Sequence, residues 1–274
     1  MEKYDRLEQI LRDLESVIVA YSGGVDSALL VKTAHDVLNG RDGDNNAKKL
    51  LAVTARSDTY PESEFESAVT LIKQIGAPHR VINSSELDIP GFYKNPPDRC
   101  FYCKGELFGL LNSIAEKEGF RAVCDGSNLD DRADYRPGRK AAGERGVRSP
   151  LMEAGLTKED VRFHAKRLGL SNWNKPAAAC LASRFPYGSR ITTEKLGMVE
   201  KAEEVLYRAG FGHVRVRCHD KIARIELAPN DIQRFVSATE RKGWINDIKS
   251  LGFNYVTLDM EGYRTGSLNE ELTG

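Results

Sequence analysis

The sequence predicts an α/β chain, with a parallel-sheet domain over residues 1–189 followed by a smaller α+β domain over residues 190–274. Three observations carry this prediction. Short apolar runs alternate with helical periodicity through the first half. The first of those runs ends in a glycine turn, Ser22-Gly23-Gly24, directly before a helix. Beyond Arg190 the order changes to helix, strand, tight turn, strand, helix, strand.

In chain order, Leu7, Ile10, Leu11 and Leu14 recur at helical spacing, and residues 17–21 form a short apolar strand. A helix follows near 26–38, then a polar insert at 40–49 and a second strand at 50–54. Pro61 opens a helix running to Gly76, since proline's missing N–H costs nothing at a helix start. Residues 80–83 are the third strand. A turn-rich stretch with Pro90, Pro96 and Pro97 leads into a helix near 98–118, and residues 121–124 are the fourth strand, closed by Asp125-Gly126. Residues 130–148, polar and rich in Gly and Arg, read either as a long active-site loop or as a mobile surface loop. A helix at 157–168 and an irregular stretch at 172–190 complete the first domain. The second contains a helix at 193–209, strands at 214–218 and 222–227 about a turn at Asp220, a helix near 230–249 and a strand at 255–258.

Lys and Arg total 40, as do Asp and Glu, so the formal charge of the 274 residues is zero. That balance disfavours a nucleic-acid coat or a polybasic membrane anchor and leans toward a small-molecule substrate. No apolar run approaches the roughly 18 to 20 residues of a membrane span. The charged helical start lacks the apolar core of a signal peptide, so a cytoplasmic protein is expected, with no membrane partner. Five cysteines argue against a disulfide framework and toward metal or redox chemistry for those that cluster.

Ser22-Gly23-Gly24-Val25-Asp26-Ser27 lies between a buried strand and a helix, where backbone N–H groups and the helix N-terminus can bind an anion. Gly23 and Gly24 permit close approach to a phosphate, and the hydroxyls of Ser22 and Ser27 add donors. The Asp26 carboxylate orients the loop or holds Mg²⁺. The alternative is a well-capped strand-to-helix turn. This SGGxDS pattern resembles the PP-loop of the ATP pyrophosphatase superfamily (adenine nucleotide alpha hydrolase-like), whose members cleave ATP between the α and β phosphates and adenylate an oxygen. The resemblance implies that the backbone and side chains near Ala52 to Ser57, Thr54 and Arg56 among them, hold the nucleoside, that Ala20 also belongs to the ATP site, and that the strand end at Asp125 and Gly126 lies beside it.

Cys100 and Cys103, in Cys-Phe-Tyr-Cys at a helix start, place two sulfurs one turn apart. A helix N-terminus favours the thiolate. CxxC alone fits zinc, a dithiol pair, half of an iron–sulfur site or two incidental thiols. Cys180 stands among small residues in an irregular stretch. No adjacent His or second CxxC completes a four-ligand zinc site, whereas three cysteines with an open fourth position suit a [4Fe–4S] cluster with one iron able to bind an extra sulfur. Cys124 and Cys218, on strands, read as buried structural thiols. The five histidines lack ligand spacing, and Trp173 and Trp244 read as core residues.

The PP-loop, the three cysteines, Asp134-Tyr135-Arg136-Pro137-Gly138, Asn172-Trp173-Asn174-Lys175, Ser183-Arg184-Phe185-Pro186-Tyr187-Gly188 and Val214-Arg215-Val216-Arg217 together resemble the LarE family of sulfur transferases, over nearly the whole chain. The resemblance implies adenylation of a carboxylate of pyridinium-3,5-biscarboxylic acid mononucleotide and its conversion to a thiocarboxylate, on the way to the nickel-pincer nucleotide of lactate racemase. In one branch a single cysteine before the SRFPYG motif surrenders its sulfur. The Cys100, Cys103 and Cys180 trio departs from that branch and implies the cluster branch, with a sulfide or persulfide source and a homo-oligomer such as a hexamer.

Arg215 and Arg217 alternate along one strand and share a face that could grip a substrate phosphate, or they pair with acids on a solvated edge. Arg136, Lys175 and Arg184 lie in irregular segments expected near phosphates. The resemblance supports a catalytic position for Glu203, while Glu226 suits a salt bridge to an arginine equally well. Two other functions remain open from the sequence: a tRNA thiolation enzyme of the same superfamily, disfavoured by the neutral charge, and a non-catalytic ATP- or zinc-binding regulatory protein.

Overall fold

The computed structural model describes residues 2–38, 49–132, 137–176, 178–264 and 266–272. It divides into two compact units, Met1–Glu86 with Asp98–Ala178 and Leu87–Pro97 with Ala179–Gly274.

The first unit runs α1 (Lys3–Leu14), β1 (Ser16–Ala20), α2 (Val25–Leu38), β2 (Lys49–Arg56), α3 (Glu62–Ile75), β3 (His79–Asn83), α4 (Arg99–Glu118), β4 (Ala122–Cys124), α5 (Pro137–Glu144), α6 (Pro150–Glu153) and α7 (Lys158–Arg167). The four strands form one sheet in the order β3-β2-β1-β4, every pair parallel. Ile18 lies opposite Leu51 on one side and Val123 on the other, which fixes the register at the sheet centre.

Strand side chains alternate between faces, and both faces are covered. Val17, Val19, Leu50 and Ala52 join Leu7, Leu11, Leu29 and Leu30 in one core, while Ile18, Leu51 and Val53 join Phe108 and Leu111 in another. Each fully buried Leu or Ile contributes about 1.5–3 kcal/mol. Helix ends follow local chemistry. Pro61 is the residue before α3, Gly76 closes that helix with φ +79°, and Thr157 opens α7 through a capping box with Asp160.

Where a long loop is expected at 130–148, the structure has α5. Proline starts it, and Ala141 and Ala142 are buried, Ala142 in the core that holds Phe108 and Leu111 of α4. Arg148 then bridges to Cys124 and extends the sheet edge, its N–H donating to Val123 O at 2.9 Å.

The second unit contains α8 (Thr193–Arg208), β5 (Val214–His219), β6 (Ile222–Leu227), α9 (Pro229–Ser237), α10 (Arg241–Ser250) and β7 (Tyr255–Leu258). β5 and β6 form an antiparallel hairpin turned at Asp220, whose φ is +53°, and β7 adds parallel to β6. The single helix expected at 230–249 is two helices, because Ala238 adopts an extended conformation between them. The Phe211, Phe235 and Trp244 rings pack together beneath them. Residues 87–97 group with this unit because the Asn95 side chain donates to Phe185 O and Pro186 O at 2.9 and 2.8 Å. No helix among the described residues is long and apolar enough to cross a membrane.

Candidate active site

The turn between β1 and α2 is shaped by its glycines. Gly23 has φ +67°, and a Cβ there would lie 2.5 Å from the Ala68 Cβ of α3, so no other residue fits without displacing that helix. The loop's carbonyls are occupied by partners: Tyr60 Oη donates to Ser22 O at 2.8 Å, Asn172 Nδ2 to Gly23 O at 3.0 Å, and the Ala28 N–H to Gly24 O at 3.0 Å. In a trans peptide the next residue's N–H points opposite to the carbonyl. The amides of Gly23, Gly24 and Val25 therefore face away from these partners, a nest at a helix N-terminus suited to an anion. Ser27 Oγ donates to Gly24 O and so accepts from Ser22 N and Ser22 Oγ, each at 3.2 Å, which closes the loop on itself.

Asp26, in the first turn of α2, accepts a hydrogen bond from Asn128 Nδ2 on Oδ1 at 3.0 Å and forms an ion pair with Lys158 through Oδ2. Gly126 brings the end of β4 against the same turn, where a Cβ would fall 2.8 Å from Ser27 N. Asp125 is locked by Ser149 Oγ at 2.7 Å and by the amide and hydroxyl of Ser127. Asp125, Gly126, Asp26 and Ser27 thus form one rigid patch beside the glycine loop.

Along the sheet edge, Ala20 is half-buried at the end of β1. Thr54 Oγ1 donates to Tyr21 O at 3.0 Å and accepts from His79 Nε2 at 2.9 Å. Burial lowers the His79 imidazole, consistent with a neutral ring carrying its proton on Nε2. Arg56 is half-exposed, donates to Glu62 at 2.9 Å and lies 5.0 Å over the Phe65 ring. Lys175 pairs with Glu64 at 2.7 Å.

Near the start of α4, Cys100 is exposed and Cys103, one turn on, is half-buried, with Cys103 Sγ 3.8 Å from the buried Glu86 carboxylate. Cys124 and Cys218 are buried, and burial pushes both thiols up, the behaviour of inert structural sulfurs. Among the described residues, no three Cys, His, Asp or Glu side chains are grouped so as to hold a metal ion.

In the second unit, Cys180 precedes a short 3-10 turn at Leu181–Arg184. Arg184 is 2% exposed and grips Glu203 of α8 through Nε and Nη2 at 2.8 and 2.9 Å. Burial alone would lower this guanidinium, and the Glu203 carboxylate more than offsets that. Arg217 forms the same two-bond fork with the buried Glu226, at 3.0 and 2.8 Å. The two arginines of β5 therefore differ: Arg217 is committed to a carboxylate, whereas Arg215 is half-buried, donates to Val214 O and stands 5.3 Å over the Tyr263 ring.

Ser22, Gly23, Gly24, Asp26, Ser27, Asp125 and Gly126 lie together around the turn between β1 and α2, and Arg136 lies outside the described residues. Arg184 and Arg217, expected at phosphates, are ion-paired with Glu203 and Glu226, the pairing that a buried guanidinium charge needs. Sequence spacing does not flag Asn128, Tyr60 or Lys158. The one available signal was Thr157 before an acidic turn, which marks a helix start and says nothing of its contact with residue 26.

No protein-family model matches the chain. An uncharacterized protein of Synechocystis sp. is 45% identical over 271 residues, covering 99% of this chain and 98% of its own. The pyridinium-3,5-bisthiocarboxylic acid mononucleotide synthase of Lactiplantibacillus plantarum is 44% identical over 263 residues, covering 96% of this chain and 92% of its own. The tRNA-5-methyluridine(54) 2-sulfurtransferase of Pyrococcus horikoshii is 30% identical over 139 residues, 48% of this chain and 40% of its own.

Proposed function

The chain belongs to the family of the pyridinium-3,5-bisthiocarboxylic acid mononucleotide synthases, and from that premise we propose how its residues divide the work. It is an ATP-dependent sulfur transferase that converts a carboxylate of pyridinium-3,5-biscarboxylic acid mononucleotide to a thiocarboxylate. The observation that carries this reading is the match to the synthase over nearly the full length of both chains. The match to the tRNA sulfurtransferase stops at about half of this chain, so tRNA is the weaker reading.

The reaction runs in two halves. A substrate carboxylate oxygen attacks the α-phosphorus of ATP, and pyrophosphate leaves with the bridging electron pair. A sulfur nucleophile then attacks the acyl-adenylate carbonyl, the carbon–oxygen bond to AMP breaks, and the thiocarboxylate remains. The amides of Gly23, Gly24 and Val25 with the α2 N-terminus would hold the departing phosphates, as preorganised donors that need no rearrangement during the step. Thr54, Arg56 and Ala20 would line the nucleoside side, with Asp125 and Gly126 beside them. Arg215 and Arg136 are proposed to hold the mononucleotide phosphate, with Lys175 near the nucleotide. Mg²⁺ would neutralise phosphate charge when bound with ATP. Asp26 would hold it in exchange for Lys158.

Cys100, Cys103 and Cys180 are proposed to hold a [4Fe–4S] cluster. Two thiols one turn apart at a helix start and a third in an irregular segment have the right donor chemistry, and the branch resemblance supplies the rest. When bound, the cluster would supply the sulfide for the second half. A sulfide or persulfide donor, a homo-oligomer and a role in making the lactate racemase cofactor belong to the same proposal. The first half is tested alone by pyrophosphate release: it should require both ATP and the mononucleotide, and release with ATP alone at the same rate would refute the substrate.

A further inference from the structure

We propose that Arg184 and Arg217 are positioning residues that set the conformation of the Cys180 segment, and that neither binds substrate phosphate. The inference rests on the reading of Cys180 as a residue of the sulfur-transfer step.

The fork edge of each guanidinium is filled by a buried carboxylate; Arg184 turns Nη1 to the segment around Cys180, and Arg217 reaches that segment through Nη1 while its Nη2 also donates to Ser267 Oγ at 3.0 Å. Arg184 Nη1 lies 2.9 Å from Ala179 O, 3.1 Å from Cys180 O and 3.1 Å from Ser183 Oγ. Ser183 Oγ in turn donates to Cys180 O at 2.8 Å. Arg217 Nη1 donates to Ser183 O at 2.7 Å. Glu203 Oε1 also accepts from the Val216 N–H of β5 at 3.0 Å, so α8, β5 and β6 are all tied to the turn that carries Cys180.

This arrangement excludes a phosphate on energetic grounds. Each guanidinium is already neutralised by a carboxylate 1–4% exposed as a residue, and an arriving phosphate would have to displace it or accept repulsion from a buried anion. It also requires arginine. Planar geometry lets one edge grip the carboxylate while the other reaches two successive carbonyls, which a lysine ammonium cannot do. The backbone on both sides of the Cys180 α-carbon is thereby fixed, and with it the direction in which the sulfur leaves the chain.

The test uses the full chain with Arg184→Lys and, as a milder change that keeps both ion pairs, Ser183→Ala. Peptide-resolved iodoacetamide labelling of the full chain, stripped of iron by a chelator, reads the Cys180 thiol directly. Its rate should change by about fivefold or more in Arg184→Lys and by about twofold in Ser183→Ala. Sulfur transfer should fall about tenfold or more in Arg184→Lys, with pyrophosphate release and the KM for mononucleotide within about twofold of the parent. A KM raised about tenfold with unchanged Cys180 labelling would identify Arg184 as a phosphate ligand and overturn the proposal. If Arg184→Lys does not fold, unchanged labelling in Ser183→Ala overturns it. A parent that releases no pyrophosphate with the mononucleotide would refute the functional reading, while the labelling comparison still decides the clamp.

Discussion

Lys158, the first residue of α7, forms an ion pair with Asp26 in the first turn of α2, and Asn128 holds the other oxygen of the same carboxylate. With the glycine turn assigned to the ATP phosphates as proposed, a lone carboxylate beside it would repel the nucleotide, and the Lys158 ion pair offsets that charge. Lys158→Met should therefore weaken ATP binding by about tenfold, or about 1.4 kcal/mol. Asp26→Asn should lessen the dependence on Mg²⁺. Isothermal titration with a non-hydrolysable ATP analogue, with and without Mg²⁺, checks both.

Gly126 and Gly23 are required by contact distance. Gly126→Ala pushes a methyl group into the backbone at Ser27, and Gly23→Ala sets one against Ala68 at a positive φ. Each should cost about 1–3 kcal/mol through overpacking. Gly126→Ala should also lose ATP binding, because the displaced turn carries the nest. Gly212→Ala, with open space around its Cβ, is the control and should leave both stability and binding unchanged. Urea unfolding with parallel ATP titration reads both effects.

Arg215 and Glu203 should separate binding from stability. Glu203→Ala leaves the Arg184 charge buried without its carboxylate and should cost about 3–5 kcal/mol. Arg215→Ala should stay within about 0.5 kcal/mol of the parent while raising the KM for mononucleotide. Denaturation midpoints against steady-state kinetics distinguish the two.

His79 gives the stability a pH dependence of fixed sign. Burial lowers its folded-state value below the ordinary 6.5, so in the unfolded chain the ring takes up a proton that the folded chain refuses. The associated stability is complete above pH 6.5 and is lost as pH falls from there through the lowered value. His164 is lowered for the same first reason, with Arg167 adding to it, and acts in the same direction. Unfolding free energies at a series of pH values should fall on the acid side, and His79→Gln should flatten part of that slope.

The sheet, its helices and the glycine turn were legible because each has a local signature: short continuous apolar runs for β1 and β2, Pro61 and Gly76 bounding α3, and Ser22-Gly23-Gly24 for the turn before α2. α5 was not, since its helical face is only Ala141 and Ala142 in a polar stretch, and packing against α4 decides its conformation. Nor could sequence say which arginines are consumed internally. Arg215 and Arg217 look alike on one strand, and only the position of Glu226 across the hairpin, opposite Arg215 in register yet bonded to Arg217, tells them apart. The break at Ala238 likewise depends on a backbone angle rather than on composition.

The central claim is tested most directly by mass spectrometry of pyridinium-3,5-biscarboxylic acid mononucleotide after anaerobic incubation with the protein, ATP, Mg²⁺ and sulfide. The account predicts a product in which sulfur replaces a carboxylate oxygen, with one AMP and one pyrophosphate formed per sulfur. An unchanged mononucleotide in a protein that consumes ATP, or sulfur appearing in added tRNA instead, would contradict it.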